Sequence, residues 1–160
     1  MQNFTDLAFA ADDEGIYDLV IDANARDFKL TAGLESASFV SLFSDRRARA
    51  DEVADPMKRR GWIGNLLSDV PNDNFGSGLW LYEQRRLTDD VIAGVRSEAE
   101  QSHAWMVDEG LAKYVIASIT SNAWARSVEI VITIAEPEGN ITKHAFPLIQ
   151  ATKTGLLATS

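Results

Sequence analysis

The apolar residues of this chain change their spacing near residue 110, and that change limits the folds open to it. Across residues 88–109 they recur every three or four positions, as on one side of an amphipathic helix. Across residues 127–135 they alternate, as on one face of a strand. The two patterns are formed by Ile92, Val95, Ala99 and Met106, with Val91 and Trp105 beside them, and then by Val128, Ile130, Ile132 and Ile134. A long helix followed by strands predicts an α+β fold.

The predicted long helix has suitable residues at both ends. Thr88 is a good N-cap, and the two aspartates that follow it lie in the first turn, where the helix dipole favours acidic side chains. Gly110 supplies a left-handed stop. Inside the helix, Glu98 and Glu100 are two positions apart and do not share a face, and we expect both to be exposed to solvent.

The last third of the chain is predicted to be a mostly antiparallel sheet. Its strands are expected at residues 113–120, 127–135 and 141–149, and the last two form a C-terminal β-hairpin around the turn EPEGN. Pro147 fits an edge strand, because proline cannot donate to a ladder. Val131 indicates that the middle strand is partly covered on its second face.

The first third is predicted to hold smaller elements. Extended segments are expected at residues 17–21 and near residues 28–30, and a short amphipathic helix at residues 34–44. The apolar face of that helix is formed by Leu34, Ala37, Val40 and Phe43, with Phe39 beside Val40. Residues 45–60 are charged and poor in apolar residues, which indicates a surface connection.

These elements predict one compact domain, with the long and the short helix packed on the sheet. We expect the domain to span residues 17–150, after an N-terminal arm of residues 1–16 and before a C-terminal tail of residues 151–160. A length of 160 residues fits a single domain with a sizeable core.

Composition excludes several classes of function. The chain has no cysteine, which rules out disulfides, thiolate metal sites and cysteine nucleophiles. Its net charge is −9, and residues 1–35 hold eight acidic residues against two basic ones, so we expect no binding of nucleic acid through bulk charge. No stretch approaches the roughly 18 apolar residues of a membrane span, and the N-terminus lacks the basic region of a secretory signal.

No residue pattern requires catalysis, a metal or a cofactor. His103 and His144 are far apart in the sequence and lack partners at ligand spacing. Residues 22–33 begin like a calcium loop, but the sixth position is Asp27 instead of glycine and the twelfth is Gly33 instead of glutamate. Phosphate-binding glycine motifs and the G-x-S-x-G elbow are missing as well. We therefore expect no catalytic residues, no metal site and no cofactor.

A stretch typical of a loop carries two of the chain's four tryptophans: residues 59–81, RRGWIGNLLSDVPNDNFGSGLWL. Such a stretch is either folded back onto the core or is a surface for another protein. We expect Trp62 and Trp80 to hold the glycine-rich loop on the domain, because glycine allows close backbone approach. Plain core packing is the alternative for both, and Trp80 falls in a short strand-like segment, GLWLYE.

Arginines cluster around this loop. One interpretation is a set of solvated faces with acids nearby; the other is contact with neighbouring subunits, where arginine is enriched. We expect the second. The expected protein-interaction motif consists of Arg46, Arg47, Arg59, Arg60, Gly61, Trp62, Gly64, Gly78, Leu79, Trp80, Arg85 and Arg86.

The order of these segments resembles that of the small baseplate wedge protein family of Mu-like contractile-tailed bacteriophages. Members of this family carry segments similar to SLFTDRRA, RRGWWGD and GSRLWLL, in that order. A helix ending in a segment similar to WLVEDGVA follows, and strands come after it. The resemblance covers roughly residues 17–150. The matching residues are Asp45, Arg46, Arg47 and Ala48; Arg59, Arg60, Gly61, Trp62 and Gly64; Gly76 or Gly78 with Leu79, Trp80 and Leu81; and Glu98, Trp105, Asp108, Gly110 and Ala112. Ile63, Asn65 and Gly78 depart from the family pattern.

The resemblance implies structural work without enzymatic activity. Such proteins lie in the inner baseplate near the tube, bundled with larger wedge proteins, and their β part is similar to the terminal domain of the sheath subunit, so it can template the first sheath ring by strand exchange. The implied partners are other baseplate wedge proteins, the tail sheath and tube-proximal proteins, with no nucleic acid and no membrane. The implied location is the virion tail baseplate, after synthesis in the host bacterial cytoplasm.

Two other functions stay open at this point. Small wedge proteins have been likened to lysozymes, so a peptidoglycan glycosidase is one alternative. It would need an acid with a raised pKa and a second carboxylate about 5–10 Å away across a cleft. The other alternative is a small soluble adaptor that binds a host protein.

Overall fold

The computed structural model describes residues 5–11, 17–32, 34–67, 75–83, 85–122 and 127–148, and its fold is mixed α+β, as predicted. The predicted C-terminal tail, residues 151–160, lies outside the described residues. The described strands are β1 (Thr5–Leu7), β2 (Phe9–Ala11), β3 (Tyr17–Leu19), β4 (Ile21–Asp22), β5 (Asp27–Phe28), β6 (Leu30–Ala32), β7 (Tyr114–Asn122), β8 (Ser127–Ala135) and β9 (Ile141–Leu148). The described helices are α1 (Glu35–Phe43), α2 (Asp89–Gln101) and α3 (Ala104–Asp108), with 3-10 helices at Pro56–Lys58, Ile63–Leu66 and Leu79–Tyr82.

The C-terminal sheet is antiparallel and, in the described part of the chain, has three strands in the order β7–β8–β9. On its inner face Ile130 of β8 pairs with Ile119 of β7 and with Phe146 of β9. The other apolar residues on that face of β8 are also buried, namely Val128, Ile132 and Ile134. The predicted strands and the C-terminal hairpin are therefore confirmed.

The three helices cover one face of this sheet. Residues from α1, α2 and α3 join the sheet in a single core cluster, which includes Leu42, Val95, Ala99, Met106, Ala117, Ile130 and Ile132. On the opposite face Ile116 and Ile141 are exposed, whereas Val131 is half-buried, which agrees with the partial cover expected there. The sheet thus has one packed face and one largely open face.

The predicted long helix is bent. Its start is confirmed, since the Thr88 side chain accepts a hydrogen bond from the Val91 N–H. Its continuity to residue 109 is wrong, because α2 stops at Gln101 and α3 begins at Ala104. The Ser102 hydroxyl donates to the Ala99 carbonyl at 3.0 Å and the His103 ring contacts the same oxygen at 2.7 Å. The His103 N–H then bonds Glu100 instead, so side chains occupy the carbonyl that would have continued the helix.

Helix α1 is confirmed, and most of its predicted apolar face packs on the core. Leu34 is buried, and Ala37, Phe39 and Phe43 are partly buried against the core. Val40 is the exception, because it is exposed. Buried serines were not predicted; they are Ser36, Ser38 and Ser41, beside the buried Leu42. Ser38 contacts the His103 ring at 2.6 Å, and Ser41 accepts from the Trp105 indole N–H at 3.0 Å. Apolar spacing does not detect serines that are buried through hydrogen bonds.

The first six strands form a separate arrangement, which we name the three-ladder unit (residues 5–11 and 17–32). Its antiparallel pairs are β1–β6, β2–β3 and β4–β5. Ala8, Val20 and Lys29 each lie between two successive strands. These three residues close a cycle of backbone hydrogen bonds: Ala8 N to Lys29 O at 2.8 Å, Lys29 N to Val20 O at 2.7 Å, and Val20 N to Ala8 O at 2.9 Å. The predicted extended segments are confirmed, and the predicted N-terminal arm contributes β1 and β2.

Candidate functional site

Arg46 lies at the centre of a buried ion network. Only 8% of its surface is exposed. Its Nε and Nη2 donate to the two carboxylate oxygens of Glu98 at 2.9 and 2.6 Å, and its Nη1 and Nη2 donate to those of Glu52 at 2.9 and 2.8 Å. A guanidinium held by two bidentate carboxylates is fixed in position. Arg46 therefore ties residues 45–52 to α2.

The network also keeps Arg46 and Glu52 ionised. Hydrogen bonds with Glu52 and Glu98 raise the pKa of Arg46. The hydrogen bond from Arg46 lowers the pKa of Glu52 to about 2, assisted by a bond from the backbone of Arg49. Arg46 and Glu52 therefore both carry their charges at neutral pH, and neither is available as a general acid or base.

Gly78 brings another segment of chain to the same carboxylate. Its N–H donates to Glu98 Oε2 at 2.8 Å. A Cβ at residue 78 would lie 2.5 Å from Glu98 Oε2 and 2.7 Å from Arg46 Nη2. Beside it, the backbone N–H of Ser77 donates to the Ser44 carbonyl at 2.8 Å, and the Ser77 carbonyl accepts from the Arg46 N–H at 2.9 Å. The two segments thus run side by side, and a side chain at residue 78 would displace the ends of the Glu98 and Arg46 side chains.

We expect Gly78→Ala to lower the free energy of unfolding by about 1–3 kcal/mol, the usual effect of adding a methyl group to a filled site. Urea denaturation measures it. The matched test is the same substitution in a Glu98→Ala background, where the carboxylate nearest the new methyl group is absent and the loss should shrink. An equal loss in both backgrounds would show that the contact with Glu98 does not explain the need for glycine.

The network corrects two expectations from the sequence. Glu98 and Glu100 are not solvent-exposed: Glu98 is buried against Arg46, and Glu100 is half-buried and accepts from the Ala117 N–H. Residues 45–60 are not wholly a surface connection, because Arg46 and Ala48 are buried. One sequence signal did exist, since Arg46 and Glu98 both belong to the blocks that resemble the wedge family.

Trp80 fastens the loop to this network. It lies in the 3-10 helix Leu79–Tyr82, whereas the sequence suggested a strand. Its indole N–H donates to the Arg46 carbonyl at 3.0 Å, and the Arg60 guanidinium lies 5.0 Å from its ring centroid. Leu79 beside it is buried in the core. Trp80 therefore holds two arginine-bearing segments on the domain, as expected.

Arg60 makes a second, more exposed ion cluster. It donates to both carboxylate oxygens of Glu83 at 2.9 Å and approaches Asp45 at 3.4 Å. Its pKa is raised, mainly by the hydrogen bond with Glu83. Burial raises the pKa of Asp45 despite the opposing effect of Arg60. The backbone turns sharply here, with φ of +129° at Gly61, a conformation that favours glycine.

Trp62 is only partly fastened. Its backbone N–H donates to the Asp45 carbonyl at 2.8 Å, and the centroid of its ring lies 5.5 Å from that of the Phe75 ring. Gly64 lies against the ring, where a Cβ would meet ring carbons at 2.2 Å. Nevertheless 49% of Trp62 is exposed. Plain core packing, the alternative considered for Trp62, is therefore wrong.

Trp62 is one of several exposed apolar side chains in this part of the chain. We name Met57, Trp62, Ile63 and Leu67 the tryptophan-loop surface. Met57 is 92% exposed, and Ile63 and Leu67 are also largely open to solvent. Four exposed large apolar side chains within residues 57–67 make this segment a candidate for contact with another protein.

The remaining predicted arginines are less tightly bound. Arg47 is exposed and donates to backbone carbonyls at 3.2 and 3.5 Å. Arg59 is half-buried and also bonds carbonyls, at 2.7 and 3.0 Å. Arg85 lies 5.3 Å from the Tyr82 ring centroid, and Arg86 is exposed. The structure thus brings Arg46, Arg47, Arg59 and Arg60 together around the loop, with Arg85 and Arg86 beyond the 3-10 helix.

The two histidines lie outside the tryptophan loop. His103 is completely buried, and its Nδ1 donates to the Ala99 carbonyl, because a carbonyl oxygen can only accept. Its Nε2 therefore accepts from the Ser38 hydroxyl. Burial lowers the pKa of His103 to about 4 and lowers the pKa of His144 as well. Among the residues that the structure describes, no group of three or more potential metal ligands comes together.

The chain resembles known proteins over most of its length. The family model for Phage protein GP46 matches residues 34–141. The Mu-like prophage FluMu protein gp46 of Haemophilus influenzae is 30% identical over 119 residues, which cover 73% of this chain and 78% of that relative. These matches identify the molecule as a protein of a bacteriophage or of a prophage. It belongs to the phage protein GP46 family. In the described ranges no helix is long and apolar enough to cross a bilayer.

Proposed function

We propose that this chain is a structural component of the baseplate wedge of a contractile phage tail, or of a particle derived from a prophage. In this role it joins larger wedge subunits and offers a sheet edge to which a sheath subunit adds a strand. Membership of a phage protein family supports the proposal, as do the sequence blocks that resemble wedge proteins. The observation that carries it is the difference between the two edges of the C-terminal sheet.

β9 is an open edge. Across the described residues it pairs with β8 and with no other strand. Just before β9, Asn140 O accepts from the Glu136 N–H at 2.8 Å, and bonding direction alternates along a strand, so the even-numbered residues of β9 face β8. Ile141, Lys143 and Ala145 therefore direct their N–H and C=O groups away from the sheet. Such an edge is a template for an added strand.

β7, the opposite edge, is closed. The Ala117 N–H points away from β8 and donates to Glu100 Oε1 at 3.1 Å. An added strand would need that donor for its own ladder. Because the carboxylate already occupies it and α2 packs beside β7, the sheet offers β9 for pairing.

Proline at residue 145 tests this assignment. Ala145→Pro removes an outward N–H without breaking the ladder to β8, and Pro147 already occupies an outward position of the same strand. We expect tails assembled with this variant to show baseplates without attached sheath by electron microscopy, while the isolated chain unfolds within about 1 kcal/mol of the unsubstituted protein.

The matched control is Ala145→Val, which changes the side chain and keeps the N–H. We expect it to support normal sheath attachment. Normal attachment with Ala145→Pro would exclude β9 as the docking edge, and normal tails in the complete absence of this chain would overturn the wedge role itself.

The geometry gives little support to a peptidoglycan glycosidase. Asp45 has a pKa raised by burial, as a general acid needs. However, Asp45 and its neighbour Glu83 both contact Nη1 of Arg60, at 3.4 and 2.9 Å. The guanidinium therefore occupies the space between the two carboxylates, where a sugar would have to lie.

A further inference from the structure

The outward residues of β9 also place their side chains on the open face of the sheet. Phe146 is buried and belongs to the core beneath the helices. Side chains alternate along a strand, so Ile141, Lys143 and Ala145 lie on the opposite face. All three are exposed. A strand that adds to β9 therefore meets the backbone groups and the side chains of the same three residues.

Lys143 carries an isolated positive charge on this face. The register places it beside Thr133 of β8, which lies beside Ile116 of β7. On the open face of the described strands the nearest acidic residue is Glu129, which pairs with Pro147, four residues beyond Lys143. None of the ion pairs found in the described part of the chain includes Lys143. The centre of the open edge thus bears a charge that the chain itself does not neutralise.

The position of this charge limits which strands can pair with β9. A residue opposite Lys143 on an added strand has its side chain on the same face, with the two Cβ atoms about 4.5–5.5 Å apart. Opposite charges at that distance stabilise the pairing, and like charges oppose it. An unpartnered lysine discourages pairing at an edge in general. A strand that supplies a carboxylate therefore has an advantage over strands that do not.

Lys143 also disfavours pairing of β9 with β9 of a second copy. In a two-fold antiparallel pair centred on residue 143, all three outward residues form hydrogen bonds, and the two lysines stand directly opposite each other. Moving the centre to residue 142 or 144 leaves the lysines diagonal to each other on one face, about 7–8 Å apart. Like charges penalise these registers, so the edge is kept for a different protein.

We propose that Lys143 selects the strand that adds to β9, and that this strand carries an aspartate or a glutamate opposite Lys143. The inference rests on the proposed docking at β9 and adds the chemistry of the partner. Ile141 is 59% exposed on the same face, so the partner residue opposite it is apolar and covers it. The partner is thus an extended segment with a carboxylate and an apolar side chain two positions apart.

Charge reversal in assembled tails tests the inference. Lys143→Glu keeps the outward N–H and C=O groups of β9 and changes an exposed side chain. We expect it to lower the fraction of baseplates with attached sheath at least about tenfold, as counted by electron microscopy, and Lys143→Arg to keep that fraction within about twofold. Lys113→Glu is the matched control, because it makes the same change at an exposed lysine beside the closed edge β7. It should attach sheath normally, and urea denaturation establishes that each variant is folded.

Second-site revertants of Lys143→Glu identify the partner. We expect them to replace an aspartate or glutamate by lysine or arginine in an extended segment of another tail protein, because that change restores opposite charges across the new ladder. Second-site revertants that lie only within this chain would contradict the inference.

The variants also separate this inference from the docking role of β9. If Ala145→Pro abolishes sheath attachment and Lys143→Glu leaves it intact, β9 is the docking edge but Lys143 does not select the partner, and the inference is overturned. If both variants attach sheath normally, the proposed docking at β9 itself is wrong.

Discussion

Replacing Glu98 by alanine is expected to lower the free energy of unfolding by about 3–5 kcal/mol, the loss typical of removing one partner from a buried ion pair. Arg46 keeps its charge in this variant, because its hydrogen bonds to the Glu52 carboxylate, which raise its pKa, are still present. Two guanidinium donors and the Gly78 N–H lose their acceptor together. Urea denaturation at neutral pH measures the change.

Two comparisons separate this effect from ordinary truncation. Glu138→Ala removes an exposed carboxylate from the turn before β9 and should change stability by less than about 0.5 kcal/mol. Arg46→Ala/Glu98→Ala removes both charges, so its loss should be clearly smaller than the two single losses added together. If the loss in the double variant equals the sum of the two single losses, the two side chains do not stabilise each other, and their contact contributes nothing to stability.

The same network shows where sequence reasoning ends. Thr88, Gly110 and the alternating residues of β8 were predictable, because each acts through its immediate neighbours or through a short period. The pairing of Arg46 with Glu98 joins residues that are 52 positions apart. Charge patterns in a sequence do not reveal such a pair, so Glu98 was expected to be exposed and residues 45–60 to lie wholly on the surface.

The buried serines of α1 were missed for a related reason. Periodicity locates apolar faces, but Ser38 and Ser41 are buried through hydrogen bonds to His103 and Trp105. The same histidine helps to end α2, since its ring contacts the Ala99 carbonyl. One buried polar residue therefore accounts both for the unpredicted burial of Ser38 and for the early end of α2. The residues of the tryptophan loop were easier to single out, because tryptophan and glycine in a loop are unusual by composition alone.

His103 also leads to the second large prediction, which concerns acid. Burial lowers its folded-state pKa to about 4, whereas an unfolded chain has the ordinary histidine pKa of about 6.5. Between these values the unfolded chain binds more protons than the folded one. Stability is therefore complete above about pH 6.5 and falls as the pH drops towards 4, by about 3 kcal/mol in all for a shift of this size.

Urea denaturation at a series of pH values between 7 and 4 measures this loss, and His103→Gln identifies its source. Glutamine keeps an acceptor for the Ser38 hydroxyl but does not titrate, so most of the dependence on pH should disappear. His144→Gln is the matched control: burial also lowers the pKa of His144, and this variant should keep the larger share that belongs to His103. Glu52 contributes little above about pH 5, because its stabilisation is lost only as the pH falls from the ordinary glutamate value of 4.5 towards its lowered pKa of about 2, so the comparison rests on the range from pH 7 to 5. If His103→Gln loses stability in acid as steeply as the unsubstituted chain does, the buried imidazole is not what makes this fold sensitive to acid.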